Sequence, residues 1–140
     1  MDFSFDPAHD AFLADVQRFA SDVVAPRAAE IDATGVFPRD LITQAAAVGL
    51  TGVTLPTTAG GGGCPYATYA TALESVSAAS ATVAVILSVT NSLVAEPVFE
   101  FGTAAQQELW LGRLASGDAL GAFALSEAQA GSDAGNQQTT

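Results

Sequence analysis

Apolar residues recur at helical spacing from the first turn of the chain. Asp6-Pro7 places a capping residue before a proline at the first helical position. Phe12, Val16, Phe19, Ala20 and Val23 then form one stripe, with Asp10, Asp15, Arg18 and Asp22 on the rest of the surface. Pro26 predicts a kink or interruption before the helix resumes toward Ile31 and Asp32. Gly35 closes that element, Pro38 opens the next, and Leu41, Ile42, Ala45 and Val48 form its buried face up to Gly49. Leu50–Leu55 reads as a turn of helix or an extended link. Gly60–Gly63 reads as a flexible connector, the loosest part of the chain.

Pro65 opens a third helix, with Tyr66, Tyr69, Ala70, Leu73 and Val76 on one side. Ser80 starts a fourth, whose Val83, Val85, Ile86, Leu87 and Val89 point in nearly every direction, the pattern of a helix central to a bundle. Leu93, Val94, Pro97, Val98 and Phe101 predict a short helix ending at Gly102. Thr103-Ala104-Ala105-Gln106 is a capping box, with Leu109, Trp110 and Leu114 behind it. After the Gly117-Asp118 turn, Leu120–Leu125 is the one convincing strand. The expectation is a mainly α fold, a bundle of five to six helices followed by one strand. Residues 1–118 form an all-α domain and 119–140 begin a β-domain that is incomplete, because a single strand needs sheet partners.

Composition narrows the function. Apolar residues make up 49% of the 140, enough for one core of ordinary size. Fifteen Asp and Glu face four Arg and no Lys, for a net charge of −11, which excludes nucleic acid as a partner. One cysteine, Cys64, and one histidine, His9, exclude a disulfide framework and a multi-His or Cys-based metal site. Structural or surface roles are favoured for both over a lone nucleophile or base. The acidic start lacks a secretory signal, so a cytoplasmic setting is expected. Ser75–Ala95 carries no charge over a length that could span a bilayer. Its seven Ser and Thr, its Asn91 and its acidic flanks favour a buried helix and no membrane span.

Candidate chemistry concentrates at the end. Gly60–Gly63 is followed by Cys64-Pro65 rather than Gly-Lys-Ser/Thr, so it is not a phosphate loop. Glu74, Glu96, Glu100 and Glu108 lack metal-ligand spacing. In Phe123-Ala124-Leu125-Ser126-Glu127-Ala128-Gln129-Ala130-Gly131-Ser132-Asp133 an apolar run opens into a bend of small residues with two hydroxyls. Gly131 permits close backbone approach, and Ser126 and Ser132 can hydrogen-bond an anionic or planar ligand. By chemistry alone the segment is either a ligand-contacting bend or an ordinary strand-to-loop turn.

This segment resembles the aromatic-x-x-Thr/Ser-Glu-Pro-x-Ala-Gly-Ser-Asp signature of acyl-CoA dehydrogenases. Other segments match that family in order: Phe3-Ser4-Phe5, Ala25-Pro26, Gly35-Val36-Phe37-Pro38, Gly49-Leu50, Pro56 with Gly60-Gly61, Asn91-Ser92-Leu93, Gly102-Thr103 and Gln106–Leu114. The resemblance implies FAD-dependent α,β-dehydrogenation of an acyl-CoA thioester. A carboxylate removes the α-proton, the β-hydride passes to flavin N5, and an electron-transferring flavoprotein reoxidises the flavin. Carried over by position, Phe123, Ala124, Leu125, Ser126, Glu127, Ala128, Gln129, Ala130, Gly131 and Ser132 contact FAD, and Ser132 also contacts the acyl-CoA. Ala128 stands where the family has Pro, and Thr57-Thr58-Ala59 lacks its Glu and Tyr. The family's Trp-Ile-Thr strand and catalytic Glu match nothing in these 140 residues, so no catalytic residue is assigned. The resemblance implies an N-terminal portion inactive alone, either a fragment or a piece needing a complementary C-terminal chain. The alternative is a non-enzymatic helical interaction or acyl-CoA-binding module derived from the family.

Overall fold

A computed structural model describes residues 6–139. Phe3-Ser4-Phe5 and Thr140 lie outside the described residues.

Five helical rods account for most of the chain, and two of them are composite. The first comprises α1 (Pro7–Phe19), a π segment (Ala20–Val24), a 3₁₀ turn (Ala25–Arg27) and α2 (Ala28–Thr34). The Asp6 carboxylate caps it, accepting the Ala8 N–H at 2.8 Å. α3 (Arg39–Ala47) and α4 (Tyr66–Ala79) follow. The second composite rod joins α5 (Ala81–Ser88), a π segment (Val89–Ala95) and α6 (Glu96–Phe101), and α7 (Ala104–Ala115) completes the set.

Both π segments have the same cause. Pro26 and Pro97 lack an N–H, and a proline ring crowds the carbonyl four residues back. In each rod the residue just before the proline donates its N–H five residues back instead, Ala25 to Ala20 and Glu96 to Asn91. The expected interruption at Pro26 is therefore a widened, underwound π turn, followed by a 3₁₀ turn, within a continuous rod. At Pro97 the same device fuses two elements that the sequence pattern separates.

Two apolar clusters hold the rods together. The larger draws Leu13, Val16, Phe19 and Val24 from the first rod, Leu41, Ile42 and Ala45 from α3, Tyr69, Ala72 and Val76 from α4, and Val83, Ala84 and Leu87 from α5. The smaller gathers Leu55, Ala95, Leu111, Leu114 and Ala115. α7 therefore buries Leu111 and Leu114, while Leu109 and Trp110, next to them in the apolar pattern, are exposed. Tyr66 and Ala70 are likewise exposed on α4, whose buried face is Thr68, Tyr69, Ala72 and Val76. The face assignment slipped there because small residues all round α4 leave the stripe poorly marked.

The composite rod Ala81–Phe101 is long and apolar enough to cross a membrane, and one third of its most apolar stretch is buried in this fold. It packs on α3, α4, α7 and α2 through one side and is not enclosed. Val85 and Leu93 stay exposed, so the rod lies at the edge of the bundle rather than at its centre.

The glycine run is the reverse of loose. The N–H groups of Gly62, Gly63 and Cys64 bond to the carbonyls of Gly52, Leu55 and Val53 at 2.9, 2.8 and 2.9 Å. A Cβ on Gly61 would lie 2.3 Å from the Leu55 carbonyl oxygen and 2.6 Å from that of Gly52. The glycines let two backbone segments touch, and Leu50, Thr51, Val53 and Leu55 are buried as a result.

Candidate functional site

The rod-to-loop junction is fastened by the buried Thr51 and Asn91 and the half-buried Thr54 and Glu96. Thr51 donates its hydroxyl to the Ala115 carbonyl at 2.6 Å. Asn91, fully buried on the second π segment, donates to Thr54 Oγ1 at 2.9 Å and to Glu96 Oε1 at 3.1 Å, and Thr54 donates to the same carboxylate oxygen. A buried amide without partners is costly, so this trio locks the π turn against the 51–55 segment. Glu96 also raises the pKa of the Tyr66 phenol, by its charge first and then by hydrogen bonding.

From this junction the chain leaves the bundle. Arg39 donates to the Gly117 carbonyl at 2.8 Å, and the Ala119 N–H reaches the Arg113 carbonyl at 2.9 Å. Gly121 then lies against Val94, where a Cβ would come within 2.6 Å. Beneath it, Val94, Val98, Trp110, Leu114 and Leu120 line an apolar cleft of about 240 Å³.

Beyond Gly121 the bonding stops. Among the described residues, no backbone N–H from Leu120 to Ser126 makes a backbone hydrogen bond, and no strand is formed. The segment expected as a strand is unpaired, because the neighbours that would define it as one are not among the described residues. Phe123 and Leu125 are exposed.

The bend after it is ordered by its own residues. Glu127 and Ala130 exchange backbone bonds at 2.7 and 3.3 Å around Ala128-Gln129, and Ala130 is only 2% exposed. The Glu127 carboxylate is held below its ordinary pKa by Thr139 through its side chain, then by the backbone N–H groups of Gln138 and Thr139. Its oxygens are thus turned to the chain itself rather than outward. Ser126, Gly131 and Ser132 are the opposite case. All three are exposed, neither hydroxyl has a partner among the described residues, and a Cβ on Gly131 would meet nothing within 4 Å. Nothing among the described residues requires glycine at position 131.

The ten residues from Phe123 to Ser132 therefore come together as one exposed bend, but not as an enclosed pocket. Open hydroxyls, free N–H donors and an unobstructed Gly131 fit the edge of a planar, hydrogen-bonding group such as a flavin. They offer no cation. Arg18 pairs with Asp15, Arg27 bridges Glu30 and Asp40 at 2.9 Å, Arg39 holds Gly117, and Arg113 lies 5.0 Å over the Trp110 ring. Charge for a diphosphate has to come from elsewhere. Among the described residues no group of His, Cys, Asp and Glu could hold a metal ion, and burial pushes the Cys64 thiol pKa up, away from a nucleophile.

Sequence reasoning missed the Thr54–Asn91–Glu96 trio. Its sequence signal was a lone asparagine in an uncharged run six residues before Pro97, too weak to name a partner 37 positions away.

Fold and bend together define a helical domain that ends in an unpaired segment and an exposed hydroxyl-bearing bend. Residues 6–118 match the family model for the acyl-CoA dehydrogenase N-terminal domain, and the chain belongs to the acyl-CoA dehydrogenase family. It is 39% identical over 132 residues to the human mitochondrial short-chain specific acyl-CoA dehydrogenase, covering 94% of this chain and 32% of that protein. Butyryl-CoA dehydrogenase from Megasphaera elsdenii superposes with a TM-score of 0.90 at 38% identity, over 99% of this chain and 37% of that one. A chain in the structure of the electron transferring flavoprotein of Acidaminococcus fermentans gives 0.93 at 34% identity, over 100% and 37%. A glutaryl-CoA dehydrogenase from Mycobacterium smegmatis, in complex with FADH2, gives 0.88 at 27%, over 96% and 35%. The chain spans about a third of the length of the curated relatives it matches.

Proposed function

We propose that this chain supplies the helical front domain and the first flavin-facing loop of an FAD-dependent acyl-CoA dehydrogenase. The observation that carries the reading is the unpaired 120–126 backbone leading into the exposed Ser126, Gly131 and Ser132 of one ordered bend. These exposed donors are met by water in the isolated chain, and the open edge they form is suited to pair with a sheet that carries a bound flavin. FAD, when bound, accepts the hydride taken from the acyl-CoA. The residues of this chain bind and orient. Ser126 offers its hydroxyl to the flavin edge, Gly131 leaves room for it, and Ser132 lies where both flavin and thioester can be met. Supporting this are the FADH2 complex of the Mycobacterium relative and the acyl-CoA specificity in the name of the human one. An electron-transferring flavoprotein is the proposed redox partner, in line with the Acidaminococcus structure. A cytoplasmic setting goes with the reading, and cell fractionation checks it.

The test is a chimera in which this chain replaces the matching first third of Megasphaera butyryl-CoA dehydrogenase. The expected protein carries flavin and is bleached by butyryl-CoA, and Ser126→Ala and Ser132→Ala weaken flavin retention. A folded chimera with no flavin sinks the reading. The exposed 120–126 edge favours a second reading, a helical module that pairs with another chain and performs no chemistry. Wild-type flavin content with no bleaching by any acyl-CoA would select it.

A further inference from the structure

Glu127 carries a role separate from cofactor contact. Both its carboxylate oxygens are taken up by the chain that returns after the bend. Oε1 accepts the Thr139 N–H at 3.0 Å, and Oε2 accepts the Gln138 N–H at 2.9 Å and the Gln129 side-chain amide at 2.8 Å. Two further side-chain amides brace the same ring: Gln137 donates to the Leu125 carbonyl, and Asn136 donates to that of Gln129 at 3.2 Å. Residues 128–137 are thus closed into a loop at one anionic group, where the outgoing and returning segments meet. Hydrogen bonds to an ionised acceptor are roughly twice as strong as neutral ones. No other fastening in this segment involves a charge.

We propose that Glu127 is a positioning residue whose carboxylate fastens the returning backbone at Gln138 and Thr139 and so fixes the attitude of Gly131 and Ser132. Its bearing on flavin rests on the function proposed above; its bearing on the loop does not. The groups facing the carboxylate are the neutral Gln129, Gln138 and Thr139, and no charged side chain contributes to its lowered pKa. Lowering the pH through that pKa therefore releases the loop, because the protonated acid is a poorer acceptor.

The experiment compares isotope-labelled wild-type chain with Glu127→Gln by amide hydrogen exchange and by pH titration of amide shifts. Glu108→Gln, on the exposed side of α7, is the control. The Gln138 and Thr139 amides are expected to be protected in wild type and to titrate with Glu127 below the usual carboxylate range. In Glu127→Gln they lose protection by at least about tenfold, the scale of one lost charge-assisted bond. Far-UV circular dichroism shows the helices unchanged. In the chimera the same substitution weakens flavin binding at neutral pH, and the gap between variant and wild type closes as pH falls. Equal exchange of Gln138 and Thr139 in the two proteins overturns the proposal, and equal flavin affinity across the pH range in a chimera that holds flavin overturns the role of the clamp in setting Gly131 and Ser132. Loss of protection in a chimera that never holds flavin supports the clamp and overturns the flavin reading instead.

Discussion

Thr51 gives its hydroxyl to Ala115, Asn91 is ringed by Thr54 and Glu96, and every glycine N–H from Gly61 to Gly63 finds a carbonyl. A few residues further along the chain, from Leu120 to Ser126, the backbone N–H groups reach no backbone acceptor among the described residues. The helical body closes on itself, and the exit segment does not. Most of the buried residues of the helical body answer to packing within it. On the proposed function the exit segment meets a flavin, so its small and hydroxylated residues answer to contacts that the described residues do not make. A site can be recognised by what it leaves unsatisfied as well as by what it assembles.

The comparison breaks most directly in the core. Leu87 is fully buried, and Leu87→Ala should cost about 3 kcal/mol in a denaturant melt, since the vacated cavity adds to lost burial. Leu125 is exposed, and Leu125→Ala should change the same melt by less than about 0.5 kcal/mol. Equal costs would mean that the exit segment is part of the core after all.

Glycine gives a second matched pair. Gly61→Ala forces a Cβ into two carbonyl oxygens and should lose about 2–3 kcal/mol. Gly131→Ala meets open space at an ordinary φ, so stability should hold within about 0.5 kcal/mol while flavin retention by the chimera falls. Unchanged flavin content in Gly131→Ala removes this glycine from the site.

Smaller effects sharpen the account of the body. Thr103→Ala removes one arm of the α7 capping box and should cost about 1 kcal/mol, with Gln106→Ala partly redundant in a double-mutant cycle. The smallest effect is electrostatic. Hydrogen bonding to Arg27 lowers the pKa of Asp40, so this pair stabilises the fold above the ordinary carboxylate pKa and the contribution fades as pH falls through the folded value. Asp40→Asn should slightly flatten the acid limb of stability against pH. Because the pair is open to solvent, a steep change there would point to another group.

How much was legible beforehand depended on the kind of signal. Local chemistry transferred well: the Asp6-Pro7 start, the Gly35 terminus and the Thr103–Gln106 box all occupy the expected places, because capping depends on neighbours a few residues apart. Faces transferred poorly where alanine and serine dilute the stripe, which is why Tyr66, Leu109 and Trp110 came out exposed. The glycine run misled for a different reason. Glycine permits both looseness and close contact, and only the 52–55 backbone beside it decides between them. At the bend, the sequence pattern marked Ser126 and Ser132 but gave no sign that Glu127 faces inward, since its partners lie 11 and 12 residues away.

The central claim is that residues 120–132 are one wall of a flavin site whose other wall lies outside this chain. Absorbance and fluorescence titration of FAD tests it, run in parallel on the isolated chain and on the butyryl-CoA dehydrogenase chimera. The account predicts a colourless isolated chain and a yellow chimera with one flavin per subunit, bleached by butyryl-CoA. A tight stoichiometric complex with the isolated chain, or a well-folded chimera that excludes flavin, would contradict it.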